Sequence, residues 1–186
     1  RLGGTRSEGE ILQLENIDYE VLSESAYFRI VERKAAALFS ACAQLGAISV
    51  GADAKCVETA RRLGEIIGVC FQIRDDIFDY YKEDIGKPTG NDLREGKFTL
   101  PAIYAITNNP SPRMSDLVKR VKQQQATTEE IEEIIEFTKV NGGIEYAERK
   151  MVELRDEALQ LLADFKNAEI QEALKQYIAF VVDRKL

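Results

Sequence analysis

Histidine and tryptophan are absent from this chain, proline occurs four times and cysteine three times. Without histidine the commonest general base is missing, together with every Ser-His and Cys-His nucleophile system. Chemistry here must run on carboxylates, amides, lysines and bound metal. The cysteines, Cys42, Cys56 and Cys70, are widely spaced, odd in number and form no CxxC pair. A disulfide scaffold and a zinc site are thereby disfavoured, and a reducing compartment, the cytoplasm, is expected. All three thiols are expected in the core, where free cysteine commonly sits. No apolar run approaches the ~20 residues that cross a bilayer, so no transmembrane segment is expected. Basic charge is scarce as well, with 25 Lys and Arg against 32 Asp and Glu and a net charge of -7. That argues against a nucleic-acid partner. An anionic small molecule is not excluded, because lysines can be concentrated locally.

What is present is an ordinary globular composition, 45% hydrophobic and 31% charged over 186 residues. One domain covering 1–186 is expected, long enough to bury a core unaided. The pattern is helical almost throughout. Ser7 with Glu10 three residues on opens a helix toward Val21. Phe28, Val31, Ala35, Leu38 and Cys42 recur at spacings of three and four, one stripe of a helix over 26–50. Gly51 interrupts, Asp53 caps, and a long helix is expected from Ala54 to about Lys82. A loop rich in Gly, Lys, Pro and Asp follows over 83–97, then a short helix over 100–107 and a turn at Asn108–Pro112. Thr127 and Glu130 open a capped helix that Asn141-Gly142-Gly143 closes. Helices over 144–164 and 168–182 complete an all-α reading. Arg1-Leu2-Gly3-Gly4-Thr5 has the character of neither a signal nor a transit peptide.

Three acids stand out. Gln72, Asp75, Asp76 and Asp79 lie three and four apart and share a helix face. Carboxylates so close repel one another and are costly if even partly desolvated. A hard divalent cation relieves that, and Mg²⁺ favours one or two carboxylates completed by phosphate oxygens and water. An acidic cluster is more often a solvated helix end, but the lead-in from Ile66 to Ile73 is almost uncharged, and a helix apolar nearly all round is buried. Downstream, Lys87, Arg94 and Lys97 stand among Gly86, Gly90 and Gly96. There the backbone can approach a ligand and lysine supplies a charge for phosphate. Carboxylates for metal beside lysines for phosphate describe a metal-bridged diphosphate site.

The run Phe71-Gln72-Ile73-Arg74-Asp75-Asp76-Ile77-Phe78-Asp79 resembles the second aspartate-rich motif of the trans-isoprenyl (polyprenyl) diphosphate synthases. The stretch from Gly86 to Pro101 resembles the segment that follows that motif. Gly9-Glu10-Ile11-Leu12-Gln13-Leu14 resembles the segment ahead of the helix carrying a Lys-Thr pair. The resemblance implies a helical bundle of the isoprenoid synthase type. It also implies a prenyltransferase that condenses isopentenyl diphosphate with an allylic prenyl diphosphate. Asp75, Asp76 and Asp79 would then hold Mg²⁺ against the allylic diphosphate, Lys34, Lys87 and Lys97 would contact that diphosphate, and Gln72 would face the prenyl chain. A homo-oligomer, commonly a dimer, is implied as the assembly.

Two departures from the family pattern matter. Ala35 follows Lys34 where threonine is usual, so one hydroxyl contact is missing or replaced. No counterpart of the first aspartate-rich motif occurs. The acids at Glu129–Glu133 read as an exposed helix start favoured by the helix dipole, and Arg61-Arg62 reads as a polar helix face. The chain is therefore expected to be the C-terminal portion of a longer synthase, bundle and site both incomplete at the N-terminus, and inactive alone. Two other readings stay open: a non-catalytic or regulatory subunit of a heteromeric synthase, and a related class I terpene cyclase. The basic end, Val181–Leu186, reads equally as a surface tail or as an approach to the second substrate.

Overall fold

The computed structural model describes residues 22–81, 89–165 and 167–183. Every regular element among them is helical, which bears out the all-α class. The helix expected over 7–21, most of the loop around Gly86 and Lys87, and Arg184, Lys185 and Leu186 lie outside the described residues. In chain order the helices are α1 (Glu24–Val31), α2 (Ala37–Ser49), α3 (Ala54–Phe78), α4 (Asn91–Arg94), α5 (Leu100–Asn108), α6 (Pro112–Lys122), α7 (Thr128–Val140), α8 (Gly143–Leu161) and α9 (Ala168–Asp183). A π turn, Glu32–Ala36, joins α1 to α2, and a 3-10 turn, Leu162–Asp164, follows α8. No helix among the described residues is long and apolar enough to cross a membrane. The described chain divides into two compact units, residues 22–27 with 76–147 and residues 28–75 with 148–183.

In the first unit α5 is the hub. Leu100, Pro101, Ala102, Ile103, Ala105 and Ile106 are all buried, so this helix needs neighbours on most sides and reaches solvent chiefly in its last turn, at Thr107 and Asn108. It packs against α7, which also meets α6. The inward face of α7 is Ile131, Ile134, Ile135 and Thr138, a three-and-four spacing that the sequence carries openly. Its expected capping box is formed: Thr127 Oγ1 accepts from Glu130 N at 3.3 Å, and Thr127 N donates to Glu130 Oε2 at 2.9 Å. Helix α6 was not among the sequence expectations. Ser111 caps it, accepting from Met114 N at 3.2 Å, and Met114, Leu117, Val118 and Val121 are buried along one side. The loop expected over 83–97 also contains a short helix, α4.

In the second unit α3 is the central rod, with Leu63, Ile66, Ile67, Val69, Cys70 and Ile73 buried. Asp53 caps it as expected, accepting from Cys56 N at 2.8 Å. Arg61 and Arg62 form the polar face anticipated for them, with Arg61 on Glu58 at 2.8 Å and Arg62 on Glu157 at 2.8 Å. The stripe expected on the preceding helix is corrected. The buried residues are Val31 and then Ala36, five apart. A π turn adds one residue to the helical repeat, and every later position rotates by about 100°. Leu38 is consequently 65% exposed, and Cys42 is exposed as well. The expectation that all three thiols are buried is corrected with it: Cys56 is half-buried, and only Cys70 lies in the core.

Candidate functional site

Helix α3 carries the acid run to its C-terminal end, and its neighbouring positions meet different environments. Asp75 is exposed, while Asp76 beside it is 4% exposed. About 100° of helical rotation per residue separates the two side chains, so one can face water while the next faces protein. Asp76 Oδ2 accepts a hydrogen bond from the Tyr27 hydroxyl at 2.6 Å. The ring of Tyr27 is buried, and burial followed by the charge of Asp76 pushes its pKa well above the usual phenol value. The phenol thus remains a protonated donor at any physiological pH.

Asp79 follows the last helical residue, Phe78, and is already committed to the downstream loop. Its Oδ1 accepts from Asn91 N at 2.9 Å and from Asn91 Nδ2 at 3.1 Å, and its Oδ2 accepts from Asp92 N at 3.0 Å. The Asp79 carbonyl accepts from Gly90 N at 2.8 Å. The carboxylate thus caps the first amides of α4 from outside that helix. Glycine is required at the junction. Gly90 has φ 74°, and a Cβ there would lie 2.8 Å from both Ile131 Cγ2 and Ile135 Cδ1. Tyr80 is buried, its hydroxyl 3.5 Å from Thr99 Oγ1.

Of the expected lysines, Lys97 is exposed and pairs with Glu95 at 2.5 Å. Both groups face solvent, where such a pair contributes little, so a phosphate oxygen can replace Glu95 at small cost. Lys34 is exposed within the π turn, and Gln72 is half-buried on α3. Lys87 lies outside the described residues. Asp76, Asp79 and Lys97 fall in the first unit and Lys34, Gln72 and Asp75 in the second. Among the described residues no group of three or more Asp, Glu, Cys or His side chains is placed to hold a metal ion alone. Asp75, exposed at the end of α3, is the acid of the run whose side chain could serve as a metal ligand.

Two residues near the acids went unnoticed in the sequence. Tyr27 could have been found by following the buried stripe back one turn from Val31. Arg74 carries no such signal: it donates to the Val182 carbonyl at the end of α9, and its guanidinium lies 3.8 Å from Glu148.

Residues 4–138 match the family model described as polyprenyl synthetase. The chain belongs to the polyprenyl synthetase family. It is 31% identical over 170 residues to octaprenyl diphosphate synthase of Escherichia coli, covering 90% of this chain and 52% of that protein. It is 32% identical over 179 residues to heptaprenyl diphosphate synthase component 2 of Bacillus subtilis, covering 95% of this chain and 50% of that protein. Among solved structures it is similar to geranylgeranyl pyrophosphate synthase from Bacteroides thetaiotaomicron, at 48% identity and a TM-score of 0.84 over 96% of this chain and 59% of that one. It is also similar to a polyprenyl synthase from Caulobacter crescentus complexed with calcium and isoprenyl diphosphate, at 33% identity and a TM-score of 0.81 over 97% of this chain and 56% of that one. The chain spans about half the length of the curated relatives it matches. A polyprenyl synthetase fold therefore accounts for the helical architecture described above.

Proposed function

We propose that this chain is part of a chain-elongating prenyltransferase that joins isopentenyl diphosphate to an allylic prenyl diphosphate, and that it supplies the second aspartate-rich half of the site. The observation that carries this reading is the exposed Asp75 carboxylate, set at the end of a helix whose lead-in is buried and apolar. Within a polyprenyl synthetase, such an acid has a use that a solvated helix end lacks. Asp75 is the leading metal ligand, with Asp76 and Asp79 adding negative charge behind it. Bound Mg²⁺ would offset charge on the departing diphosphate. Lys34, Lys87 and Lys97 contribute positive charge to the same oxygens. Gln72 turns its amide oxygen toward the prenyl chain, where cationic charge develops at the allylic carbon. The double bond of isopentenyl diphosphate forms the new carbon–carbon bond there, and the proton is lost to the released diphosphate. None of these steps needs histidine.

The unit boundaries fall inside helices, at Tyr27–Phe28, Asp75–Asp76 and Ala147–Glu148. Domain boundaries ordinarily fall in linkers, so a single domain is the reading we favour. The outer face of α2, with Leu38 at 65%, Leu45 at 64% and Ile48 at 53% exposure, supports a homo-oligomer, since apolar patches of this kind favour association. Free Cys42, Cys56 and Cys70 are in keeping with a cytoplasmic protein.

The test is elongation of geranyl or farnesyl diphosphate with labelled isopentenyl diphosphate by the full-length protein. Asp75→Ala should lower kcat by about 100-fold or more, the scale of losing one electrostatic contact to developing charge. Residues 1–186 alone should give no product. Wild-type turnover by Asp75→Ala would remove the metal role, and turnover by 1–186 would refute the half-site reading. The name of the Bacillus subtilis relative, component 2, gives the heteromeric alternative its own test. Activity recovered only on adding a second, different chain would establish it.

A further inference from the structure

We propose that Glu95 is a positioning residue that holds the Lys97 ammonium while no diphosphate is bound and takes it back as pyrophosphate leaves. It thereby lowers the affinity of the site for the released product. The inference rests on the reading of Lys97 as a diphosphate contact.

The main chain that carries both side chains is fixed. Helix α4 ends in a Schellman motif: Lys97 N donates to the Asp92 carbonyl at 2.8 Å and Gly96 N to the Leu93 carbonyl at 3.0 Å. Gly96, between the two charges, has φ 80°, and a Cβ there would lie 3.3 Å from the Val121 carbonyl oxygen at the end of α6. The Glu95 carbonyl accepts from Gln124 Nε2 at 3.4 Å. From this turn the Lys97 and Glu95 side chains reach into solvent, 59% and 61% exposed, and meet at 2.5 Å. Among the described residues this is the ion pair that Lys97 makes. Their mutual hydrogen bond holds the Glu95 carboxyl below its usual pKa and the Lys97 ammonium above its own, with the charge of Asp92 acting more weakly on the lysine.

The pair joins no two elements. Arg113 and Glu133, at 2.6 Å, staple α6 to α7, whereas Glu95 and Lys97 stand two residues apart on one turn. An exposed ion pair contributes little to stability. What this one changes is the state of the lysine that a phosphate oxygen meets. Without Glu95 the ammonium would give up only water on taking the ligand. With Glu95, a carboxylate is exchanged for a phosphate oxygen on binding and is restored on release. A reaction that frees pyrophosphate at every condensation gains from an exchange that costs little in either direction.

The experiment is calorimetric titration of the full-length protein with inorganic pyrophosphate in the presence of Mg²⁺. Glu95→Gln should tighten binding by about 2- to 5-fold, the worth of an exposed ion pair. Unchanged or weaker binding overturns the proposal. Lys97→Gln completes a double-mutant cycle. Adding Glu95→Gln to it should leave the affinity where Lys97→Gln alone puts it, because the carboxylate acts through the ammonium. An equal gain with and without Lys97 would mean that Glu95 merely repels the ligand through its field, and the proposal fails. Lys97→Gln alone separates this question from the parent reading, since it should weaken pyrophosphate binding by about 10-fold. Wild-type affinity there refutes Lys97 as a diphosphate contact. Weakened binding there, with no gain in Glu95→Gln, refutes the role of Glu95 and leaves Lys97 in place.

Discussion

Asp79 belongs to the acid run by sequence and to the loop by hydrogen bonding. Both of its oxygens are taken by the amides of Asn91 and Asp92 and by the Asn91 side chain, so its first task is to hold α4 in place. Asp79→Ala should cost about 1 kcal/mol, the usual loss for a capping carboxylate. Denaturant unfolding measures that cost, and faster hydrogen exchange at Asn91 and Asp92 would locate it. Asp79→Asn, which keeps one acceptor oxygen, should recover part of the loss; equal stability of all three proteins would refute the capping role. This division among the acids is what the sequence could not convey. Their number and their apolar lead-in were legible as a run. Which one faces water depends on partners 12 residues away for Asp79 and 49 residues away for Asp76. Lys97 was likewise legible as a basic loop residue, whereas its pairing with Glu95 was not.

Among the helices, periodicity identified most elements, because an inward face at three- and four-residue spacing is written directly in the residues. Ile131, Ile134, Ile135 and Thr138 on α7 are the clearest instance. The same reasoning reached the wrong face on α2, since one extra residue in Glu32–Ala36 shifts the register and leaves no compositional trace. The cause lies across the interface, on α3. A Cβ on Gly68 would come within 2.6 Å of Ala36 Cα, so the backbones of the π turn and α3 can meet only where this residue lacks a side chain. Gly68→Ala pushes against backbone, which cannot swing aside as a side-chain tip would. The expected cost is roughly 1–3 kcal/mol, the range for overpacking a filled interior. A fall in the thermal midpoint would register it, whereas Gly46→Ala, with nothing within 4 Å of its added Cβ, should leave the midpoint unchanged or raised. A Gly68→Ala protein as stable as wild type would show that the π turn is not held by this contact.

Over the whole molecule, the buried Cys70 thiol and the buried phenols make stability depend on alkaline pH. Burial pushes the Cys70 thiol up from 9.0 to about 12, with the charge of Arg74 pulling weakly the other way. Tyr80 is shifted in the same direction, chiefly by burial, from an ordinary value of 10.0. A folded-state pKa above the unfolded one means that the native protein keeps a proton the unfolded chain has released. The associated stability is fully present below about pH 9 and is lost as pH rises toward 12, at up to about 1.4 kcal/mol per pH unit for each group. The denaturation midpoint should therefore stay level to about pH 9 and fall steadily by pH 11. Cys70→Ala should reduce that fall most between pH 9 and 10, where the unfolded thiol, at 9.0, ionises ahead of the tyrosines, at 10.0. A thiol reagent gives an independent reading of the same burial. At pH 8, Cys42 should react at once in the native protein, while Cys70 reacts only at the rate of unfolding. Prompt labelling of Cys70, or a midpoint flat to pH 11, would contradict the burial of the Cys70 thiol.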